Sequence, residues 1–493
     1  MRTIFYCFTV GVLVLFMPFT ASAVRDSIRV GIQLEPPSLD PTTTASSSTG
    51  EITYDNIYEG LTKIDRDGNV QPLLARSWDI SSDGLTYTFT LQNNVHFHDG
   101  SKLTPEIVVF SLKRLVYGLP PNPQKDLFED IASIELVGSN RVKVTLSEAN
   151  SDFLFNLGLP AAVIVHPDST STNPIHPIGT GPYAFKEWIK EDRIVMDAFS
   201  GYWGASPSIR HAEFIFTPSR IQIESALAEG LVDGYQDGSG HNLLEKFASR
   251  RDYVITKGYN NGEIILAINN GKYPLNDIRV RRALAYAIDK KVLEQDPDLK
   301  SGQLIGSHFS PRHPAYIDLT GRYPYNPDKA RELLHQAGVE DGFLLSIAVP
   351  PTSYAQISSF HIASQLEAVG LKIKLIKMTW AEWMSQVFTA KDYDLTIICH
   401  IEPFDIHIYA KDEYYFNYDN ARFKKLWRKI KATQDQEEGN KLLGDAQRMI
   451  AEDCVNVFLY MKPQHAIWRS DLQGAWVNAP MSAIVLSDMH WIH

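Results

Sequence analysis

The stretch from Leu73 to Leu115 decides the fold and reads LLARSWDISSDGLTYTFTLQNNVHFHDGSKLTPEIVVFSLKRL. Threonines alternate with Tyr, Phe and Leu over Thr86–Leu91, which is the two-residue period of a strand with one buried face. A turn at Asp99-Gly100 follows, and then Thr104 occupies a helix N-cap position with Pro105 as the first helical residue. The stretch therefore predicts an amphipathic strand, a turn and a capped helix. The apolar face of that helix comprises Val108, Leu112 and Leu115.

This order of elements resembles the signature of the extracytoplasmic solute-binding proteins of the peptide and nickel class of ABC importers, known as family 5. Five further segments match the family's landmarks in the usual order along the chain, so the resemblance covers hundreds of residues. They are Pro177–Trp188 (PIGTGPYAFKEW), Tyr202–Pro218 (YWGASPSIRHAEFIFTP), Ser225–Gly234 (SALAEGLVDG), Leu266–Leu293 (LAINNGKYPLNDIRVRRALAYAIDKKVL) and Tyr325–Gly338 (YNPDKARELLHQAG).

The resemblance implies an α/β fold of two lobes, the periplasmic-binding-protein fold of type II, cluster C, with an extra subdomain inserted in lobe I. The length of the chain also indicates more than one core, because domains usually have about 100 to 200 residues. By resemblance, the chain crosses to lobe II near Glu263–Ile268 and returns near Val457–Lys462. The expected division is a signal peptide at 1–23, lobe I at 24–52, 178–262 and 462–493, the inserted subdomain at 53–177 and lobe II at 263–461.

Hydrophobic periodicity predicts further elements. A helix should begin at Asp277, and a second should follow Asn326, with Pro327 just inside its start and Gly338 just past its end. On the first helix, Arg281 is expected on the polar face. That helix's apolar face is expected to comprise Val280, Leu284, Ala287, Ile288 and Val292, opposite Arg281, Arg282 and Lys290. Strands are expected at Ser27–Leu34, Leu344–Val349, Leu371–Lys377 and Tyr393–Cys399.

The first residues predict a cleavable secretory signal. Arg2 precedes an apolar run over Ile4–Met17, and Ala21-Ser22-Ala23 supplies the small residues that a signal peptidase requires. The run is shorter than the roughly 20 residues that span a bilayer. Val24 stands where a lipoprotein would carry Cys. We therefore expect a protein of the periplasm that is neither a lipoprotein nor embedded in the membrane.

The net charge limits which partners are expected, and the cysteine content limits which disulfides can form. With 58 acidic and 47 basic residues the net charge is −11, and no long basic block is present, so nucleic acid is not expected as a partner. Cys7 leaves with the signal. Cys399 and Cys454 could form a disulfide in an oxidising compartment, but the apolar runs beside them favour buried thiols.

The loop after the strand Tyr393–Ile398 is the candidate ligand loop and reads CHIEPFDIH from 399 to 407. In peptide-binding members of the family, an acidic residue of this loop pairs with the α-amino group of the ligand. By resemblance Asp405 is the first candidate for this role and Glu402 the second. The alternative for either acid is capping a following helix or facing solvent. His400 and His407 flank the loop and are candidate ligand contacts.

On the opposite wall, Glu35 begins a segment that resembles the family's first cleft segment. Pro36 and Pro37 have no amide hydrogen, so a ligand would there meet carbonyl groups and side chains such as Glu35. Among the aromatic residues near the ligand loop, the run Tyr414, Tyr415 and Phe416 is the part expected near the cleft, since such rings suit a ligand that is partly polar and partly apolar. The alternative is that most of these rings pack in the core.

Apparent metal and catalytic motifs are weak. His96 and His98 stand two apart on a predicted strand, and His400 and His407 flank the ligand loop, but two imidazoles do not complete a metal site. No metal and no cofactor are therefore predicted. The motifs GxSxG, HExxH, GxxxxGK[ST], CxxC and GxGxxG are all absent, so the chain is not expected to be an enzyme.

The expected function is that of a monomeric periplasmic receptor. It would capture a solute by hinge closure and deliver it to an inner-membrane ABC permease driven by its ATPase. A di- or oligopeptide is the first expected cargo, and family members that bind nickel complexes, haem, opines, oligosaccharides or glutathione keep those open. Two other classes stay open as well. A metal-dependent hydrolase would show turnover and bound zinc, and a chaperone would bind many long peptides without changing shape.

Overall fold

The computed structural model describes residues 25–236, 241–258, 260–297, 299, 302–401, 405–433, 435–478 and 480–492. The predicted signal peptide and Glu402 lie outside these residues. Strands along the described chain are β1 Ser27–Ile32, β2 Thr62–Ile64, β3 Val70–Pro72, β4 Ala75–Ile80, β5 Thr86–Leu91, β6 Ile131–Val137, β7 Arg141–Leu146, β8 Tyr183–Ile189, β9 Arg193–Ala198, β10 His211–Phe216, β11 Gly234–Tyr235, β12 Tyr253–Gly258, β13 Glu263–Ile268, β14 Leu344–Val349, β15 Lys372–Lys377, β16 Leu395–His400, β17 Asn456–Met461, β18 Gln464–Arg469, β19 Leu472–Gln473 and β20 His490–Trp491.

Helices are distributed among the strands, so the fold is mixed α/β. None of the helices in the described ranges combines the length and the apolar character that crossing a bilayer requires. The α-helices are α1 Ser47–Thr53, α2 Pro105–Tyr117, α3 Phe153–Asn156, α4 Arg220–Ala228, α5 His241–Ala248, α6 Ile278–Ala287, α7 Lys290–Gln295, α8 Pro327–Gln336, α9 Ser353–Glu367, α10 Trp380–Trp383, α11 Ala421–Ala432 and α12 Gln436–Glu452.

The segment Leu73–Leu115 folds as predicted. Buried and half-buried residues alternate along β5, and its buried side chains pack in one core with Val108 and Leu112 of α2. At the start of α2 the hydroxyl of Thr104 accepts a hydrogen bond from the Ile107 amide, and Pro105 fills the first helical position. This unit forms around a third sheet with the strand order β4-β5-β7-β6.

Two larger sheets organise the rest of the chain. The first has the order β12-β18-β11-β1-β10-β9-β8, and the second has the order β15-β14-β16-β13-β17. Each residue of β13, an inner strand of the second sheet, is buried, as is each residue of β17 at the end of that sheet. A strand that is covered on both faces has no polar face. Apolar side chains therefore run continuously along β13 without alternation, except at its first residue, Glu263.

The chain crosses between the first and the second sheet at two adjacent places. It leaves the first sheet after Gly258 and enters the second at Glu263, and it returns between Met461 and Gln464. The two crossings are hydrogen-bonded to each other, since the Lys462 amide donates to the Gly262 carbonyl over 2.6 Å. Paired crossing strands of this kind are the place where a hinge is expected. The predicted lobe boundaries remain a prediction, because they concern which residues move together.

Several predicted elements need correction at their ends. The helix after Asp277 ends at Ala287, so Ile288 is its C-cap residue and Val292 belongs to the separate helix α7. Arg281 is buried, because its guanidinium group donates to the carbonyl groups of Leu275, Asp453 and Cys454. The placement of Arg281 on a polar face was therefore wrong. Helix α8 has the predicted Asn326 cap, Pro327 start and Gly338 end.

Strand predictions hold more closely than helix ends. Strand β14 has the predicted bounds, β15 starts one residue later than predicted, β1 ends at Ile32, and β16 runs from Leu395 to His400. The strand predicted at His96 and His98 was wrong, since that segment has a single bridge from His96 to Lys102. Both described cysteines are thiols without a disulfide, and Cys454 is fully buried while Cys399 is half-buried.

Two glycines of the segment PIGTGPYAFKEW lie where a side chain would not fit. A Cβ atom on Gly179 would lie 1.9 Å from the Ile57 carbonyl oxygen, and one on Gly181 would lie 2.3 Å from that of Asn56. The backbone of this segment is hydrogen-bonded to the same strip, with the Gly181 amide donating to the Ile57 carbonyl over 3.0 Å. Any side chain here would push apart two backbone segments that join the first and third sheets.

We predict that Gly179→Ala lowers the free energy of unfolding by about 2 kcal/mol or more, since neither backbone can yield without breaking hydrogen bonds. Gly321→Ala is the matched control, because nothing lies within 4 Å of a Cβ atom there. Urea unfolding followed by circular dichroism measures both. Equal stability of the two variants would contradict the packing argument.

Candidate functional site

Strand pairing brings two polar residues to the same edge of the second sheet. In the antiparallel pair of β13 and β16, Glu263 lies opposite His400. The chain after His400 includes the ligand loop, and the described residues resume at Asp405, the first residue of a 3-10 helix that ends at Ala410. The acid of the loop therefore returns to the end of β16, next to the start of β13.

Four of these side chains form a network, which we call the acid-histidine network and which consists of Glu263, His308, Asp405 and His400. His308 lies between the two acids, with Nδ1 3.1 Å from Oε2 of Glu263 and Nε2 2.9 Å from Oδ1 of Asp405. His400 contacts the other oxygen of Asp405, with Nδ1 3.2 Å from Oδ2. Nε2 of His400 lies 2.9 Å from the hydroxyl of Tyr415. Both oxygens of Asp405 therefore face imidazole rings.

The network is removed from water, which makes its charges interdependent. His308 is 2% exposed, Glu263 4% and Asp405 6%. Burial acts to raise the pKa of Asp405, but the charge of His308 and hydrogen bonds from both histidines hold that pKa well below its usual value. Burial acts to lower the pKa of His308, but the charges of Glu263 and Asp405 raise it to about 10. His308 is therefore an imidazolium at neutral pH.

The network has more acids than imidazolium ions. Glu263 and Asp405 share the imidazolium of His308. Nδ1 of His400 faces Asp405 and its Nε2 faces the Tyr415 hydroxyl, so both of its ring nitrogens have polar partners. Nearby His313 adds no charge, because burial and the charge of His308 lower its pKa to about 4. A cation is therefore the complement of this group of described side chains.

Aromatic rings surround the network. The ring of Tyr415 lies parallel to that of His400 with centroids 6.2 Å apart, and the ring of Tyr409 meets His308 edge-on at 5.5 Å. Tyr415 and Phe416 are buried, whereas Tyr414 is half-buried. Tyr415 and Phe416 therefore support the network from within the core, and Tyr414 is the ring of this run that reaches solvent.

The structure brings together only some of the predicted site residues. Asp405, His400 and Tyr415 are in direct contact, whereas the His407 ring lies apart with its centroid 6.2 Å from that of Trp427. Glu35 lies in the irregular segment after β1, where its carboxylate accepts hydrogen bonds from Trp188 Nε1 over 2.9 Å and from the Glu191 amide over 3.3 Å. Glu402 lies outside the described residues, so its role stays a prediction.

Sequence reasoning missed His308 and Glu263. Glu263 carried a signal, because an acid at the start of the continuous apolar run EIILAI must be buried and therefore needs a partner. His308 carried no comparable signal, since it lies 45 residues beyond Glu263 and 97 before Asp405 in an irregular segment. Among the described residues, no group of three or more His, Cys, Asp or Glu side chains is arranged to hold a metal ion.

Ion pairs join this part of the second sheet to the unit around the third sheet. Lys411, which follows the 3-10 helix of Asp405, places Nζ 3.0 Å from Oδ2 of Asp126. Lys431 at the end of α11 places Nζ 2.9 Å from Oδ1 of Asp130, and both of these side chains are largely buried. The 3-10 helix therefore begins at the acid-histidine network and ends at a contact between two separate units of the chain.

Comparison with known proteins gives consistent matches. The sequence profile of the family described as bacterial extracellular solute-binding proteins, family 5, middle, matches residues 69–401. The glutathione-binding protein GsiB of Pectobacterium atrosepticum is 32% identical over 371 residues, which are 71% of this chain and 69% of that protein. The dipeptide-binding protein of Escherichia coli is 27% identical over 417 residues, covering 78% of this chain and 77% of that protein.

The fold is also found among solved structures. The dipeptide-binding protein of a Pseudoalteromonas species in complex with Met-Leu superposes with a TM-score of 0.87 at 23% identity, covering 94% of this chain and all of that one. A likeness of this extent shows that the chain has the α/β fold of the periplasmic binding proteins, which the sequence predicted.

We predict that His308→Gln lowers the free energy of unfolding at pH 6 by about 3 to 5 kcal/mol, because it removes the cation that lies between two buried acids. The raised pKa of His308 gives stability that is fully present below the unfolded value of about 6.5 and is lost as pH rises through about 10. The difference between wild type and variant should therefore shrink between pH 6.5 and 10.

Urea unfolding at pH 6, 8 and 9.5 measures this difference. His313→Asn is the matched control, since His313 is a buried neutral histidine of the same segment and should show a constant difference between pH 8 and 9.5. A difference for His308→Gln that does not change with pH would contradict a charged imidazole in the network.

Proposed function

We propose, from the premise that this chain belongs to the bacterial extracellular solute-binding proteins of family 5, that it is the substrate-binding component of an ABC importer. It captures a di- or oligopeptide-like solute by hinge closure and delivers it to an inner-membrane permease powered by an ATPase. The relatives reported above are named for what they bind, which supports binding without catalysis. The protein works in the periplasm as a monomer after removal of its signal peptide.

The acid-histidine network is the observation that carries the choice of cargo. Asp405 lies in the ligand loop, and its network sets two buried acids, Glu263 and Asp405, against the single imidazolium of His308. A buried charge is costly unless it is paired, so a ligand that brings one positive group to this place is favoured over a neutral one. The α-amino group of a peptide is such a group. Asp405 is therefore the proposed partner of the peptide amine.

The aromatic rings around the loop support a cargo with apolar side chains. Trp380 is 47% exposed and stacks on the buried Trp383 with centroids 5.1 Å apart, and Phe388 beside them is 39% exposed. The half-buried Tyr414 meets Phe388 edge-on at 6.0 Å. These rings extend from the network to the surface, and they offer apolar faces to side chains of a bound peptide.

Glutathione is the second candidate, because a relative 32% identical to this chain is a glutathione-binding protein. Glutathione is itself a tripeptide with a free α-amino group, so it would use the same carboxylate. The two candidates differ in the length and the apolar character of the remaining groups, and a binding panel distinguishes them.

Closure around the cargo is supported by the two kinds of contact between units. The paired crossings at Gly262 and Lys462 provide a hinge, and the ion pairs of Lys411 and Lys431 join the units at a distance from it. A ligand that contacts both walls stabilises the closed state by its higher affinity for that state. The ion pairs add to that stability, and the desolvated pair of Lys431 with Asp130 adds the larger part.

We predict that the purified protein binds at least one of Met-Leu, Ser-Thr-Ser-Ala and glutathione, and that Asp405→Asn weakens the binding by more than about 30-fold, since a buried charge pair is lost. Isothermal titration calorimetry measures the affinities. Asp412→Asn is the control, because Asp412 is an exposed acid of the same region that pairs with Lys424. Equal affinities for wild type and Asp405→Asn would remove Asp405 from the site.

Closure itself is tested by small-angle scattering. We predict that the radius of gyration falls when the cargo is added, and that the double variant Lys411→Ala, Lys431→Ala is more open than wild type before cargo is added. Lys424→Ala is the control, since Lys424 pairs with acids of its own unit. Identical scattering from empty and loaded wild-type protein would contradict hinge closure.

A further inference from the structure

We propose that His308 is the internal counter-ion of the binding site: it holds Asp405 ionised and oriented, so that the acid can capture an amine after it has been removed from water. This inference rests on the proposed function, because it assigns to Asp405 the amine of the cargo. His308 is a positioning residue, since it acts on the ligand through Asp405. Glu263 has a supporting role, since it fixes the other nitrogen of the same ring.

His308 is held by one contact at each of its two ring nitrogens. Its two ring nitrogens lie 3.1 and 2.9 Å from one oxygen each of Glu263 and Asp405. Within the described part of the chain, the ion pairs of Asp405 are those with His308 and His400. His400 supplies a hydrogen bond from a ring shared with Tyr415. His308 therefore lies nearer to Asp405 than His400 does, and its charge acts most strongly to lower the pKa of Asp405.

The segment that carries His308 is fixed against the second sheet. The Met461 amide donates to the Gln303 carbonyl over 2.8 Å, and the Ile305 amide donates to the Leu459 carbonyl over 3.2 Å, so the segment forms an edge beside β17. Phe309 has a positive φ of 82°, and its amide donates to Glu263. The chain thus turns at the point where both His308 and the next amide reach the same carboxylate.

The charge around His308 comes from the elements packed against it. Strand β13 contributes Glu263, and the 3-10 helix contributes Asp405 and Tyr409, whose pKa burial raises well above its usual value, so that it is neutral. The segment of His308 itself contributes His313, which is neutral at pH 5 and above. Strand β17 contributes the apolar ring of Phe458. The charged groups that face His308 among the described residues are therefore the two acids.

Without His308 the two acids would oppose each other in a site with little water. Burial and the neighbouring negative charge both raise the pKa of a carboxyl group, so Asp405 would take up a proton near neutral pH. A protonated carboxyl group cannot form an ion pair with an ammonium ion. We therefore expect loss of His308 to make cargo binding depend on pH. We expect wild-type binding to be independent of pH over the same range.

The experiment is calorimetric titration between pH 5.0 and 7.0 with the tightest-binding of Met-Leu, Ser-Thr-Ser-Ala and glutathione. Over this range the α-amino group is mostly protonated, with its ordinary pKa of about 7.7 to 8.0. We expect the wild-type affinity to change by less than about threefold. The affinity of His308→Gln should fall at least about tenfold from pH 7.0 to 5.0, and His313→Asn should follow wild type.

A flat pH profile for His308→Gln, or a wild-type affinity that itself falls tenfold, would overturn the inference while the proposed function stands. Absence of binding for all three ligands to wild type would instead overturn the proposed function, and the inference with it. If His308→Gln does not fold, wild-type titrations at pH 6.0 in phosphate and in a buffer of high ionisation heat decide. No net proton exchange is expected, and release of half a proton or more would overturn the inference, because it would show that Asp405 is protonated in the empty site.

Discussion

A carboxylate that leaves water must find a positive or donating partner, and the acid-histidine network depends on how this chain meets that requirement. Asp405 lies between His308 and His400, and His308 is in turn held by Glu263. Removing either acid would leave one nitrogen of the buried imidazolium without its partner, and removing the imidazolium would leave two buried acids without their cation. The four side chains therefore stabilise or destabilise one another as a group.

The proposed recognition of the cargo and the proposed closure of the units would both depend on the acid-histidine network. Glu263 is the first residue after the outbound crossing, and Met461 at the return crossing is hydrogen-bonded to the segment that carries His308. The 3-10 helix that begins at Asp405 ends next to Lys411, which pairs with Asp126 of another unit. The acid-histidine network is therefore connected to both crossings on one side and to the unit around the third sheet on the other. The proposed coupling of binding to closure would act through these contacts.

Much of the fold could be predicted because it is written in local patterns. The alternation over Thr86–Leu91 and the cap at Thr104 specify a strand and a helix without reference to distant residues. The network could not be predicted in the same way, because Glu263 and His400 become neighbours only through the pairing of β13 with β16. The prediction for Arg281 was wrong for a related reason. Helical spacing predicts which face of the helix carries a side chain, but it does not predict that carbonyl groups of another segment pack against that face.

The central claim is that the imidazole between Glu263 and Asp405 is charged, and nitrogen-15 NMR of the histidine side chains tests it most directly. In the ligand-free protein at pH 8, the account predicts that both ring nitrogens of His308 carry protons and that the ring titrates near pH 10. His313 in the same spectrum should be neutral at pH 8. A neutral His308 at pH 8, with one bare ring nitrogen, would contradict the account.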